Sequence, residues 1–430
     1  MPSEYDYVII GAGLAGLHAA YQIRKREPAA RYVILEAGAG AGGRAATAKF
    51  AGVEVVTGAG VGRKSKDELL RRLLTELRVP YQEFSAPHAY GPGVEAPDPR
   101  ALSALEAALT PADHAVTFLA YARRVLGPEA AKKFIEGMGY TDMLMADAYD
   151  TVKYYGLDDN VPGADPADPQ PTLLAIPWGQ LIKALVKAVG PRRIVYGARV
   201  ERLQQLPGGD WEVECAASAA QHGPQRGPFR ARSVICATTI RTLRKLFPRV
   251  REYRYIESQP FLRVYAKFPR ALRAYMQKAV PTYTVVVPPL QKIIPMDPAK
   301  GVYMIAYSDN KAAEAVKHAL EDPNSPASLA YFARHVERAL GMPERAIEIE
   351  AIQAHYWEEG THYFKPCASH GNEEFSRDAF LQNARHPLQG VEAARRANQS
   401  TSPTVLALGE ALTCQQGWVE GALSADCRFR

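Results

Sequence analysis

A strand-like apolar run, Tyr7-Val8-Ile9-Ile10, opens directly into Gly11-Ala12-Gly13-Leu14-Ala15-Gly16 and then into a helical pattern from Leu17. A second apolar run, Arg31-Tyr32-Val33-Ile34-Leu35, ends on Glu36. No other stretch of the chain restricts the fold as much. Strand, glycine turn, helix, strand and acid together form one device for holding a dinucleotide. The glycines permit a tight turn and close backbone approach, the pyrophosphate takes the positive helix N-terminus, and the acid accepts from a ribose. An ordinary glycine-rich turn has no need of the glutamate. Gly11, Gly13, Leu14, Ala15, Gly16, Glu36 and Ala37 are therefore the first expected cofactor contacts.

The next residues narrow the nucleotide. A second glycine loop ends in Gly42-Gly43-Arg44, and Thr57-Gly58-Ala59-Gly60-Val61 follows an apolar Val55-Val56. A nicotinamide enzyme does not need such a loop straight after the ribose acid. An extended FAD does, because its pyrophosphate oxygens take a guanidinium fork from Arg44. Near the C-terminus, Leu408-Gly409-Glu410 precedes Gly417-Trp418-Val419-Glu420-Gly421-Ala422. There a strand end delivers Glu410, and a glycine turn starts a helix whose free N–H groups form a positive end suited to an anionic or carbonyl-rich ligand.

Glu36 followed by Gly43-Arg44, the later Gly58-Ala59-Gly60 and the C-terminal signature resemble the flavin-containing amine oxidase family, which includes monoamine, polyamine and L-amino acid oxidases. The likeness spans nearly the whole chain and is weakest between Ala86 and Gln170. It implies an α/β fold in which a Rossmann-like FAD-binding domain (residues 1–85, 190–250 and 395–430) is interleaved with an α+β substrate domain (86–189 and 251–394). The substrate domain is expected to be an antiparallel sheet plus helices, with 86–170 a helical insert. The pattern along the chain agrees with that order. Leu69 to Leu77, Ala101 to Leu109, Ala112 to Leu126 and Gln180 to Val189 have helical spacing, whereas Leu262 to Phe268, Val302 to Tyr307 and Ile347 to Ala354 alternate as strands. Pro162, Pro166, Pro169 and Pro171 close the insert.

The resemblance also implies a chemistry: an FAD-dependent oxidase of amines or amino acids, with hydride passing from the C–N carbon to flavin N5, imine hydrolysis, and reoxidation by O2 to hydrogen peroxide. Further cofactor contacts carry over to Val200, Thr238 and Trp357. Thr361 stands where monoamine oxidases have the cysteine that bonds the flavin, which implies non-covalent FAD. Trp418 and His362 fall on the two walls of the family's cage over the flavin face. Arg263 replaces the lysine by which polyamine oxidases hold a water at N5. Arginine is a fixed planar cation and favours carboxylates. Arg63 lies near the position of a carboxylate-binding arginine in L-amino acid oxidases. These two arginines tilt the expected substrate toward one bearing a carboxylate. The alternatives are a flavin dehydrogenase or desaturase acting on C–C bonds and a catalytically weak flavoprotein.

Composition excludes other classes. The chain has 430 residues, a net charge of +6 and no block of basic residues, so nucleic acid is not an expected partner. No apolar run reaches membrane-spanning length, and the first residues pass straight into the nucleotide strand, so a cytoplasmic location without a signal peptide is expected. Five scattered cysteines have no metal-ligand spacing and read as free thiols. The expected partners are thus a small amine or amino acid and O2, with no metal; the oligomeric state is left open.

Overall fold

A computed structural model describes residues 4–164, 171–216, 228–372, 375–388 and 404–424. Pro166, Pro169, Cys427 and the stretches 395–403 and 425–430 of the expected cofactor domain lie outside those residues.

The opening unit forms β1 (Tyr5–Ile10), α1 (Leu14–Arg26) and β2 (Tyr32–Glu36). The last three residues of β1 and the first four of β2 are buried, as in a parallel sheet covered on both faces. β1 pairs in parallel with β2 on one side and with strand Phe229–Cys236 on the other. Ile194–Tyr196 extends the parallel set beyond β2, and Val405–Ala407 lies parallel to Phe229–Cys236. Val200–Gln205 and Trp211–Cys215 join as an antiparallel hairpin at that edge. The carboxyl ends of the parallel strands therefore collect at one rim, where open α/β sheets bind ligands. At this rim Ala237 N donates to Ile10 O at 2.8 Å and Leu408 N donates to Cys236 O at 2.9 Å. One apolar core joins Leu14 and Leu17 of α1 to Trp178, Leu181 and Leu185 of helix Trp178–Val189, and to Leu408 and Leu423 from the C-terminal region. Both ends of the polypeptide thus share a single packed layer.

The second sheet has six strands in the order Ala351–Phe364, Ile256–Lys267, Val302–Asp309, Lys292–Asp297, Thr284–Val285 and Ala89–Tyr90. It is antiparallel except for its last pairing, where Thr284–Val285 meets Ala89–Tyr90 in parallel. Helix Pro326–Leu340 seals it with Phe332, Ala333 and Val336. The strand expected over Ile347 to Ala354 starts at Ala351 and runs on to Phe364, because it pairs along its length with Ile256–Lys267. The helical insert closes on its own core of Leu105, Phe118, Tyr121, Phe134 and Met138. Its expected helix from Ala112 to Leu126 is split. A short 3-10 turn spans Pro111–Ala115, and the helix proper starts at Phe118, where Thr117 Oγ1 accepts from Ala120 N at 3.2 Å. Among the described residues no helix is long and apolar enough to cross a membrane.

Candidate active site

The turn after β1 is built for close approach. A Cβ on Gly16 would fall 2.0 Å from the Gly11 carbonyl oxygen, so only glycine lets α1 pack on the turn. Gly13 is the N-cap of α1, has no side-chain cap and no acid after it, and faces open space. The free N–H groups of α1 are thus left for an anion, with Leu14 and Ala15 in the first turn. Glu36, at the end of β2, accepts from Ala12 N through Oε2 and from Gly38 N through Oε1, both at 2.7 Å. Those bonds hold the carboxylate in place, and each oxygen keeps a lone pair for a ribose hydroxyl. Ala37 follows it, and Ala198 N donates to the Glu36 carbonyl at 2.8 Å, which brings Val200 and its strand to the same corner.

The second glycine loop folds back on the first. Gly42 N donates to Ala12 O at 2.8 Å, and Ala59 N donates to Arg44 O at 2.7 Å. A Cβ on Gly58 would sit 2.1 Å from that same Arg44 oxygen. Gly43, Arg44, Gly58, Ala59, Gly60 and Val61 therefore form one layered backbone surface. Trp357 is tied to it by an indole N–H to Thr57 O bond of 2.7 Å. Thr238 and Gly409 meet at the strand ends, where a Gly409 Cβ would lie 3.9 Å from Thr238 O.

Arg44 and Glu410 do not point independently at a ligand, as their motifs had implied. The guanidinium fork of Arg44 is set on Glu410, at 3.2 Å to Oε1 and 3.1 Å to Oε2, and also donates to Gly360 O at 2.9 Å. His362 Nδ1 is 2.8 Å from Glu410 Oε1. Burial alone would raise the Glu410 carboxyl, but Arg44 and His362 hold it well below the usual carboxylate range. An ionised carboxylate only accepts, so His362 donates from Nδ1, and its Nε2 faces Ile240 N at 3.4 Å. His362 is thus not an open wall with a nitrogen to offer a substrate. It is buried and engaged on both sides.

Arg63 is engaged within the protein as well. Its Nε and Nη2 bind Asp67 Oδ1 at 3.1 and 2.6 Å, its Nη1 binds Asp159 at 3.1 Å, and its guanidinium lies 3.5 Å from the Trp418 ring centre. With its fork committed to two aspartates, Arg63 braces Trp418 and has little to give a substrate carboxylate. Trp418 in turn donates its indole N–H to Tyr155 O at 3.2 Å. Arg263 reaches inward from the second sheet. Its Nε donates to Gly58 O at 2.8 Å, a Cβ on Gly60 would lie 3.1 Å from its Nη2, and its guanidinium covers Tyr307 at 4.0 Å. The sheet therefore places Arg263 against the glycine loop, buried at 4% exposure.

Comparison with known proteins agrees with this geometry. The family model for flavin containing amine oxidoreductases matches residues 105–424, and one for an NAD(P)-binding Rossmann-like domain matches residues 9–77. The chain belongs to the flavin-containing amine oxidoreductase family. It is an FAD-dependent oxidoreductase acting on amines. Similar solved structures include cyclohexylamine oxidase from Brevibacterium oxydans IH-35A (TM-score 0.70, 15% identity, covering 99% of this chain and 98% of that one). Wild-type putrescine oxidase bound to putrescine is alike to the same degree, at TM-score 0.70 and 15% identity, covering 99% of this chain and 98% of that one. The A394C variant of putrescine oxidase gives TM-score 0.69 at 14% identity, covering 99% and 97%. No curated protein sequence matches the chain.

In this amine oxidoreductase the C-terminal signature has a second job. Glu420 accepts from Leu69 N at 2.8 Å and Leu70 N at 3.1 Å, capping helix Glu68–Glu76. Val419 packs on the core shared with Leu14, Ala422 stays half-buried beside it, and Gly417 opens the turn. A chamber beyond Arg263 was not legible in the sequence. Tyr140, Tyr283 and Tyr307 surround the fully buried Lys292, whose ammonium position lies over the Tyr140 ring and donates to Gly139 O. Burial pushes the Lys292 amine well down and the Tyr140, Tyr155 and Tyr283 hydroxyls well up. Burial, with Lys292 nearby, also lowers His88 to about 4. Their spacing gave no signal because insert and sheet supply them separately. A cavity of about 500 Å3 lies between α1, helix Glu68–Glu76 and the C-terminal signature, lined by His18, Gln22, Glu68, Arg72, Glu420 and Ser424. Among the described residues no glycine turn and no Phe, Tyr or Trp side chain lines it.

Proposed function

We propose that the protein oxidises the C–N bond of a small amine, giving an imine that water hydrolyses, and that O2 is the final acceptor with release of hydrogen peroxide. The observation that carries this reading is the meeting of the N-terminal glycine turn, Glu410 and Trp418 with Arg263 and its tyrosine chamber around one rim. FAD fits these groups: Gly11, Gly13, Gly16 and the start of α1 suit its pyrophosphate, Glu36 its ribose, and Gly58 to Val61, Trp357 and the Gly417 turn its ring system. When bound, FAD supplies the two-electron acceptor that receives hydride at N5 and passes the electrons on to O2.

The protein's own part is positioning and exclusion of water. Trp418, pinned between Arg63 and Tyr155, is a rigid wall on which the reacting carbon is held. Arg263 is a fixed cation at the glycine loop and favours negative charge developing there. The tyrosine chamber keeps bulk solvent away, which strengthens both effects. A neutral amine carries its own lone-pair push, so no nucleophile on the protein is needed. Arg63 is engaged elsewhere and the buried carboxylate of Asp142 lies near the chamber, so an amine without a carboxylate is the preferred substrate class. Thr361 accepts from Gln259 at 3.1 Å and provides no thiol, which supports non-covalent FAD.

The test is a screen for peroxide release over primary, secondary and diamines beside L-amino acids, on protein that has the visible absorption of oxidised flavin. Turnover of amines alone is expected. A yellow protein that oxidises only L-amino acids, or none of these compounds, would refute the reading. Acid precipitation should leave the flavin in the supernatant.

A further inference from the structure

Near the tyrosine chamber, in a cavity of its own, stands a carboxylate to which the reaction above gives no chemical step. Asp142 is buried, at 6% exposure, and lines a cavity of about 30 Å3 with Tyr155, Gln259, His362 and Gly417. That volume admits a water or one small polar head group. Asp147 and Asp150 border the same cavity, but their charge is taken. Arg377 is 3.1 Å from Asp147 and pairs with Asp150 as well, and His114 Nδ1 is 2.8 Å from Asp147. Asp142 differs from both. Among the described residues no basic side chain reaches ion-pair distance of it, and its Oδ1 accepts from the Tyr155 hydroxyl.

The position is held from several sides. Gln259 Nε2 donates to the Asp142 carbonyl at 2.9 Å and to Thr361 Oγ1 at 3.1 Å, which fixes the insert to the flavin-side strand. Tyr155 also receives the Trp418 indole through its own carbonyl, so Asp142, Tyr155 and Trp418 form one connected wall. The neighbouring Asp309 is spoken for, accepting from Thr141 N at 2.9 Å, Asp142 N at 3.2 Å and Gln291 Nε2 at 3.0 Å.

We propose that Asp142 takes the proton from the ammonium form of the substrate before its C–N bond is oxidised; this rests on the amine-oxidation reading above. In the step an N–H bond of R–NH3+ breaks and its electron pair stays on nitrogen. An O–H bond forms on Asp142, giving R–NH2 and a neutral carboxyl, with no change of oxidation state. The exposed lone pair is what lets the adjacent carbon part with hydride. The proton returns to water when product leaves.

The surroundings favour the transfer. An alkylammonium ordinarily keeps its proton to about pH 10. Here Arg263, a fixed cation, lies over Tyr307 at 4.0 Å, and a cation close to this region weakens an ammonium's hold on its proton. Burial and then Asp309 push the Asp142 carboxyl up to about 7, against the pull of the Tyr155 hydroxyl and Lys292. Asp147, Asp150, Tyr140 and His362 also face this region. A proton acceptor poised near neutrality is the efficient kind.

The test compares wild-type holoenzyme with Asp142→Asn, Asp142→Glu and Tyr155→Phe. Asparagine keeps an oxygen for Tyr155 but cannot titrate. The probes are cyclohexylamine, n-butylamine and putrescine, read both as kcat/KM against pH and as anaerobic perturbation of the flavin absorption on binding. In wild type, kcat/KM and binding should gain an acidic limb near neutral pH. In Asp142→Asn that limb should vanish and kcat/KM at pH 7.5 should fall by roughly 10²–10³-fold. It should then climb tenfold per pH unit toward the amine's own pKa, because only free base is used, while flavin content stays unchanged. Asp142→Glu should restore most of the loss, and Tyr155→Phe should move the limb upward. An Asp142→Asn profile that parallels wild type would overturn the proposal while leaving amine oxidation standing. Wild type that binds amines with the limb, yet never turns them over, would uphold Asp142 as the acceptor and sink the oxidase reading. Absence of any amine binding defeats both.

Discussion

The Arg44–Glu410–His362 network gives the most direct test of how the two chain ends are joined. Glu410→Gln keeps the side-chain shape but removes the charge that the Arg44 fork grips at 3.1 and 3.2 Å. Its new amide N–H groups then face a donor. Glu410 is 5% exposed and Arg44 31%, so the pair is partly screened on one side only. Breaking a buried pair costs about 3–5 kcal/mol, and the exposure of Arg44 argues for the lower end, about 3 kcal/mol. Unfolding entropy of about 2.1 cal/mol/K per residue over this length gives about 0.9 kcal/mol per kelvin, and hence a Tm lower by about 3 °C at pH 7. The Glu410 carboxyl is depressed in the folded protein, so its stabilisation is fully present above its ordinary value of 4.5 and is lost as pH falls below it. The Tm gap between wild type and variant should therefore be constant from pH 7 to 5 and narrow below about 4.5. Calorimetry of the holoprotein measures both. The double variant with Arg44→Met should lose less than the sum of the singles. A gap under about 1 °C at pH 7, or one that widens in acid, would refute the reasoning.

Further expectations follow from the same geometry. Gly16→Ala should yield protein with flavin occupancy down roughly tenfold by visible absorbance, because its Cβ meets the Gly11 carbonyl at 2.0 Å and the turn must open. Arg263→Lys should forfeit the stack on Tyr307 and the bond to Gly58, about 1–2 kcal/mol together. It should change the rate of flavin reoxidation by O2 in stopped flow, and unchanged kinetics would remove Arg263 from the site. Arg377→Met strands the carboxylates of Asp147 and Asp150 and should destabilise by about 3–5 kcal/mol in a denaturant titration. Among the described thiols, Cys367 should react first with a disulfide reagent at pH 8: hydrogen bonds with Ser369 lower it despite partial burial, whereas burial pushes Cys414 up to about 11 and Cys236 far higher.

Where the chemistry is local, the sequence was enough. The turn around Gly11 to Gly16, the acid at Glu36 and the glycine of the Gly417 turn each depend on backbone conformation within a few residues, and pattern reveals that directly. Arg263 was picked out by its place in a strand, although only the paired sheets aim it at Gly58. What the sequence could not show is a side chain's partner that lies far along the chain. Arg63 finds Asp159, Glu410 finds Arg44, and Glu420 caps a helix near the opposite end of the chain. None of those pairings leaves a periodic trace.

What the chain's order of residues determined was a nucleotide cleft, its flavin and the family of reactions, since glycines and an acid at set spacings dictate how closely backbone and cofactor can meet. Tertiary structure alone decided which charges remain available in that cleft. Packing the insert and second sheet against it spends Arg63 and His362 on internal partners and leaves Asp142 without an ion-pair partner among the described residues, because burial makes every charge seek the nearest complement in space rather than in sequence.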